Sequence, residues 1–363
     1  MTVRRAGLLL GLAAAGLGNL IAIWIDQLVL RRQITPSGWG GPGDFLIFQQ
    51  GSRAVLEHLQ SAGELMYPPP FLLLSAPFST LPPQLGCILW ILAGGLILVL
   101  AARRFGMQAQ AIMLGLASPP VLYCAVMGQC GMFVSAALLL ALGMADTAPV
   151  LAGIAAGCVV IKPQFALLLP ICFLAARRWR TIIAAAFTVL CLCVLPAILF
   201  GGWAWHLFLH AQLHVARGVV SNPGWLVGRM MVTAFILFRN LGASVLVAGT
   251  AQALVTVAAA VACWMLWARA MPQTMWERVA ATLFLVILAT PYAYIYDLPA
   301  QGFALLAYAY ERRPNWPAAV ALFWLFTGAY GFTSTFFWPV GAFIAVAIVA
   351  ATWPRDAKVT ASP

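Results

Sequence analysis

Apolar runs near the length of a bilayer crossing recur along this whole chain, and that recurrence limits its fold more than any other feature. A crossing helix needs ~20 consecutive apolar residues. The runs 7–29, 85–102, 181–200 and 241–268 are the clearest. Hydrocarbon offers no water, so every backbone N–H and C=O must be bonded within the protein, as a helix does. Of 363 residues 63% are hydrophobic and 8% are charged, against ~25% charged in a soluble domain. The sequence therefore predicts an all-α, polytopic transmembrane protein, a single integral membrane domain over 1–363. Counting by length gives about 10–12 membrane segments, including short or re-entrant ones. The first run, after Arg4 and Arg5, reads as a retained helix, because it is about 23 residues long and has no clear small-x-small cleavage site before Trp24 and Asp26.

A net charge of +11 would suit a nucleic-acid partner, but position argues against one. Most basic residues sit in pairs between apolar runs, which is how membrane proteins set orientation. The runs 150–161 and 164–176 are each too short to cross, since ~12 residues rise only about 18 Å. They form either one helix kinked at Pro163 or a re-entrant hairpin. With the hairpin, 13 of the 20 Lys and Arg fall on the cytoplasmic side. With one helix, every basic residue after Pro163 changes side and the excess reverses, so the positive-inside rule selects the hairpin. External loops then cover about 30–83 and 202–240. The eight cysteines lie in or beside apolar runs, with no CxxC and no Cys/His cluster. Neither a metal site nor a disulfide framework is signalled. His206, His210 and His214 share a helical face, which fits an interfacial helix with Trp203 and Trp205.

Under this topology the polar residues within the apolar background gather on the external side. Such residues are costly at membrane depth unless they face a cavity or a partner. Asp44 to Arg53 suits a short amphipathic helix with Phe45, Phe48 and Ser52 on one face, and an Asp in its first turn can cap it. Tyr67-Pro-Pro-Pro-Phe71, followed by Pro77, Pro82 and Pro83, reads as a rigid extended crossing. Gly128-Gln129-Cys130-Gly131 and Ile161-Lys162-Pro163-Gln164 each interrupt apolar sequence. Lys162 has about a dozen apolar residues on either side, which favours anion binding over simple snorkelling. Thr290 to Asp297 carries three tyrosines, which an aromatic belt explains, and Asp297, which it does not.

Taken in order, these segments resemble glycosyltransferase family 87, polyprenol-phosphate-sugar-dependent membrane enzymes of the C-type glycosyltransferase fold. The resemblance rests on Asp44-Phe45, Tyr67-Pro68-Pro69, Pro77 to Pro82, Gly128-Gln129, Lys162-Pro163-Gln164, Thr290-Pro291-Tyr292 and Tyr296-Asp297. It covers about residues 44 to 305. Two departures stand out: only Glu57 to Met66 separate the amphipathic helix from Tyr67, and Cys130 stands where an Asn often follows Gly-Gln.

The resemblance implies a hexosyltransferase that moves a sugar, mannose above all, from a polyprenyl-phosphate donor to a glycan or glycolipid acceptor, with inversion. It implies Asp44 as general base, at an ordinary carboxylate pKa of about 3.9. Lys162, then Arg53 and Arg229, are the cations for the phosphate. Tyr67, Gln129, Gln164, Tyr292 and Asp297 complete the substrate site, with Gln129, Gln164 and Asp297 either binding hydroxyls or holding Lys162. No metal and no cofactor beyond the lipid-linked co-substrate is expected, and the partners are membrane lipid, donor and acceptor. The expected location is the bacterial inner membrane, multi-pass, with the site facing the periplasm or exterior. The alternatives are a transporter or flippase of a lipid-linked sugar, which would favour internal repeats that this sequence lacks, and a polymer ligase of similar fold.

Overall fold

The computed structural model describes residues 43–57, 65–221, 231–268, 274–311, 316–328 and 333–352. The expected first helix at 7–29 lies outside them, as does Arg229. Among the described residues there are sixteen α-helices and no β-strand beyond one isolated bridge. In chain order they are α1 Gly43–Leu56, α2 Pro70–Ser79, α3 Pro83–Arg104, α4 Ala109–Leu116, α5 Pro119–Met127, α6 Gly131–Gly143, α7 Pro149–Cys158 and α8 Leu169–Ala175. Then follow α9 Trp179–Phe200, α10 Trp203–Ser221, α11 Ala234–Asn240, α12 Val245–Ala268, α13 Met275–Ala289, α14 Pro299–Glu311, α15 Trp316–Gly328 and α16 Thr333–Thr352. Among these, α3, α9 and α12 are long and apolar enough to cross a membrane. The protein is an all-α polytopic membrane protein.

α9 shows how the apolar surplus is used. Ile183, Phe187 and Ile198 are each about two-thirds exposed or more, an arrangement that lipid satisfies and water does not. The apolar stretch 107–127 is long enough to cross a bilayer, yet it is not one straight helix. It is α4 and α5, bent by 52°, because Pro119 and Pro120 can open a helix but cannot continue one. The prolines after Tyr67 do the same. Instead of an extended crossing, Pro70 starts α2, in the first turn, where a missing N–H removes no intrahelical bond.

The chain reverses at Lys162. Room for Gly153 is limited by Thr181 and Ala184, and for Gly157 by Thr188. The register advances in the same sense, so α7 runs parallel to α9. A tight turn at Arg177, with φ +54°, joins α8 to α9. α7 and α8 are therefore the two arms of a re-entrant hairpin. Its base is closed by Asp146, which accepts hydrogen bonds from both Arg178 and Arg278. Arg103, Arg104, Arg177, Arg178, Arg180 and Arg278 all lie toward this end of the bundle, and the hairpin tip points to the other.

Candidate active site

Five chain segments meet at the hairpin-tip end. α1 brings Asp44 in its first turn, with Phe45, Phe48, Gln49 and Ser52 turned inward. Phe48 packs edge-on against Tyr67, and Tyr67 stacks on Phe71 at 4.5 Å. The turn between α5 and α6 places Gln129. Gly128 ends α5 in the left-handed region at φ +68°, which glycine adopts without penalty. The Gln129 carbonyl then accepts from Trp90 Nε1 at 3.3 Å and Cys124 Sγ at 3.0 Å. The fourth segment is the hairpin tip with Lys162, and the fifth is the 3₁₀ turn Ile295–Asp297 ahead of α14.

That last turn sits directly on the start of α6. A Cβ on Gly131 would lie 1.9 Å from the Tyr296 carbonyl oxygen. No rotamer change relieves a clash with backbone. Gly131→Ala should therefore lose at least the ~1–3 kcal/mol typical of an overpacked core. A melting curve in detergent that matches wild type would show that the turn does not depend on this contact.

Two polar groupings result. In the first, Gln129 Nε2 donates to Asp44 Oδ2 at 2.8 Å, and the Tyr67 hydroxyl donates to Gln129 Oε1 at 2.9 Å. In the second, Lys162 Nζ donates to Asp297 Oδ1 at 2.5 Å, and the Tyr294 backbone N–H donates to Asp297 Oδ2 at 3.1 Å. Lys162 joins the two groupings, lying 5.2 Å from the Tyr67 ring and 5.0 Å from the Tyr296 ring. Lys162, Asp297 and Gln129 are buried, whereas Asp44, Tyr67 and Tyr292 are half-buried. Burial pushes the Asp44 carboxyl above the usual carboxylate range, with the Gln129 hydrogen bond and the Lys162 charge opposing it. Its expected ordinary pKa is thus corrected upward, which makes it a stronger base.

The sequence-predicted residues sort accordingly. Asp44, Tyr67, Gln129, Lys162 and Asp297 come together. Tyr292 borders them, its hydroxyl accepting from that of Tyr294 at 2.7 Å. The half-buried Gln164 is tied by its carbonyl to Thr290 Oγ1 at 3.2 Å. Arg53 does not join them. Its guanidinium donates to Ser79 O at 2.7 Å and Leu81 O at 2.9 Å, satisfying carbonyls at the end of α2. It sits about 14 Å along α1 from Asp44. Both Asp297 oxygens are engaged, which makes it the anchor of Lys162. His206 and His210 lie on α10, and among the described residues no group of three His, Cys, Asp or Glu is placed to hold a metal ion. Sequence reasoning missed Trp90, Cys124 and the structural need for Gly131. The only signal for the last was the Gly128-x-x-Gly131 spacing around Gln129.

A family model, that of glycosyltransferase family 87, matches residues 65–291. No curated protein and no solved structure matches the chain. The matched region holds Tyr67, Gln129, Lys162 and Gln164, while Asp44 precedes it and Tyr292 and Asp297 follow. A match over more than half the chain, on a membrane-embedded helical fold, makes this protein a membrane glycosyltransferase, and the chain belongs to glycosyltransferase family 87.

Proposed function

We propose that this glycosyltransferase takes its sugar, mannose above all, from a polyprenyl-phosphate donor and passes it with inversion to a glycan or glycolipid acceptor. The observation that carries the reading is Asp44, held by Gln129 through one oxygen only, beside a buried lysine at the hairpin tip. A hydroxyl nucleophile needs a base, and a positioned carboxylate supplies ~10²–10⁴-fold. The acceptor oxygen attacks the anomeric carbon as its proton passes to Asp44, and the bond to the phosphate breaks on the opposite face. Negative charge on the departing phosphate is where a fixed cation contributes most. Lys162 carries three N–H donors, of which one is committed to Asp297. The other two face the phosphate in this reading.

The donor tail has an apolar place to lie. A cleft of about 500 Å³ runs along the hairpin, lined by Ala156, Ala166 and Phe173 and by Val189, Leu190 and Cys193 of α9. In this reading the site faces away from the cytoplasm, in the inner membrane of a bacterium. Support comes from the basic residues gathered at the end opposite Lys162, as the positive-inside rule requires. The test is to incubate purified protein with a panel of polyprenyl-phosphate sugars and follow release of the free sugar or its transfer. Turnover of the mannosyl donor above the others is expected. A panel with no turnover, alongside turnover of nucleotide sugars, would replace the donor class.

A further inference from the structure

The Tyr67–Gln129–Asp44 chain assigns orientation to groups that a sequence cannot orient. An ionised carboxylate only accepts hydrogen bonds. The end of the Gln129 amide that faces Asp44 must therefore be its NH₂, which turns Oε1 to the other side. There it needs a donor, and the Tyr67 hydroxyl is that donor at 2.9 Å. Tyr67 is itself held on three sides, by the Phe48 edge, the Phe71 face and the Lys162 charge 5.2 Å from its ring. A cation on a phenol ring draws electron density from it and strengthens the hydroxyl as a donor. The Gln129 main chain is fixed as well: its backbone carbonyl accepts from Trp90 and Cys124, and its backbone N–H donates to Cys124 O at 2.8 Å, so the side-chain amide starts from a set position. Asp44 Oδ2 is therefore committed, and among the described residues Oδ1 carries no hydrogen bond.

Resting on the reading of Asp44 as base, we infer that Tyr67 and Gln129 are positioning residues and not sugar ligands. Tyr67 locks the Gln129 amide, and the amide turns Asp44 so that Oδ1 alone meets the acceptor hydroxyl. The proton moves from that hydroxyl to Oδ1 while the new glycosidic bond forms and the bond to phosphate breaks. The tyrosine and the amide keep their own protons throughout. The sequence alone places Tyr67 against the substrate, and Gln129 either against a substrate hydroxyl or as a support for Lys162.

Other charges near Asp44 have weaker claims to its control. Gln129 opposes desolvation most, ahead of Lys162, while Asp297 acts in the other direction. Of the helices packed on α1, α2 has no titratable side chain. α3 contributes Cys87, with Arg103 and Arg104 at its far end, and α5 contributes Tyr123 and Cys124. On α1 itself, Arg53 is committed to α2.

Infrared titration reads this without any acceptor. The Asp44 carboxyl band is identified as the one missing from Asp44→Asn, and its protonation midpoint is followed in the full-length protein. Gln129→Leu should raise that midpoint by about one pH unit, because a hydrogen bond to the charged form is lost. Tyr67→Phe, which removes one oxygen and keeps the ring packing, should raise it by less. With polyprenyl-phosphate mannose as probe, both variants should lose about tenfold or more in kcat with donor KM unchanged. A midpoint that stays put in folded Tyr67→Phe and Gln129→Leu overturns the inference, and so does a raised donor KM at unchanged kcat. Should Asp44→Asn keep its turnover while the midpoints still shift, the base assignment fails and the positioning chain stands.

Discussion

Asp44→Asn should lower turnover at least ~10²-fold while leaving donor affinity and melting temperature close to wild type. The amide oxygen of Asn can still accept from Gln129 Nε2, so the 2.8 Å contact that orients the residue survives. As a cap Asn equals Asp, and the charge lost from the first turn of α1 costs only about 0.3–1 kcal/mol of dipole interaction. What disappears is the capacity to take a proton. A residue that merely caps α1 would lose little rate. The pH dependence adds a second test. Desolvation raises the Asp44 pKa, so the base form exists only above that raised value. As pH falls through it, the carboxylate protonates and kcat/KM declines, on a limb lying above the ordinary carboxylate range. Asp44→Asn should lack that limb. Near-normal turnover in the variant would remove Asp44 from the chemistry. Asp297 would then be a poor successor, because both of its oxygens are occupied.

Lys162→Met should destabilise the protein by ~3–5 kcal/mol, the usual result of stranding one half of a buried ion pair. The partner left behind is Asp297, which is 2% exposed. Lys162 and Asp297 are the one ion pair among the described residues in which both partners are buried, so removing either strands the other. The double variant Lys162→Met/Asp297→Asn should recover most of the loss. No charge is then left buried, and the Asn oxygen still accepts from the Tyr294 N–H. Donor binding distinguishes structure from function. If Lys162 holds the phosphate, the double variant folds well but binds polyprenyl phosphate at least ~10-fold more weakly, the worth of one charged hydrogen bond. A stable double variant with unchanged affinity for polyprenyl phosphate would confine Lys162 to joining the hairpin tip to the turn before α14. Thermal melts and a binding titration on the same preparations give both answers.

Much of the fold was legible because the forces involved are local. Mean hydropathy over a run of about 20 residues decides whether it enters a bilayer, and α3, α9 and α12 lie where the runs predicted. The hairpin followed from length and charge together: two runs too short to cross, and basic residues after Pro163 that fall on the wrong side without a reversal. The helical character of Asp44 to Arg53 followed from apolar spacing. Proline misled in one place. Three in a row after Tyr67 suggested extended chain, whereas only the last enters α2, at its first position.

The sequence by itself determined a multi-pass helical membrane protein, the reversal at Lys162, and a short set of polar residues too costly to be idle. Only the tertiary structure decided which of them meet. Asp44 and Arg53 lie on one helix and look equivalent as charged residues of one motif. Yet Asp44 reaches Gln129 across 85 residues of sequence, while Arg53 turns to the end of α2. Lys162 finds Asp297 across 135 residues. No local pattern encodes such pairs. They are selected by close packing, above all by Gly131, where one absent methyl group lets the Asp297 turn settle on α6 beneath the hairpin tip.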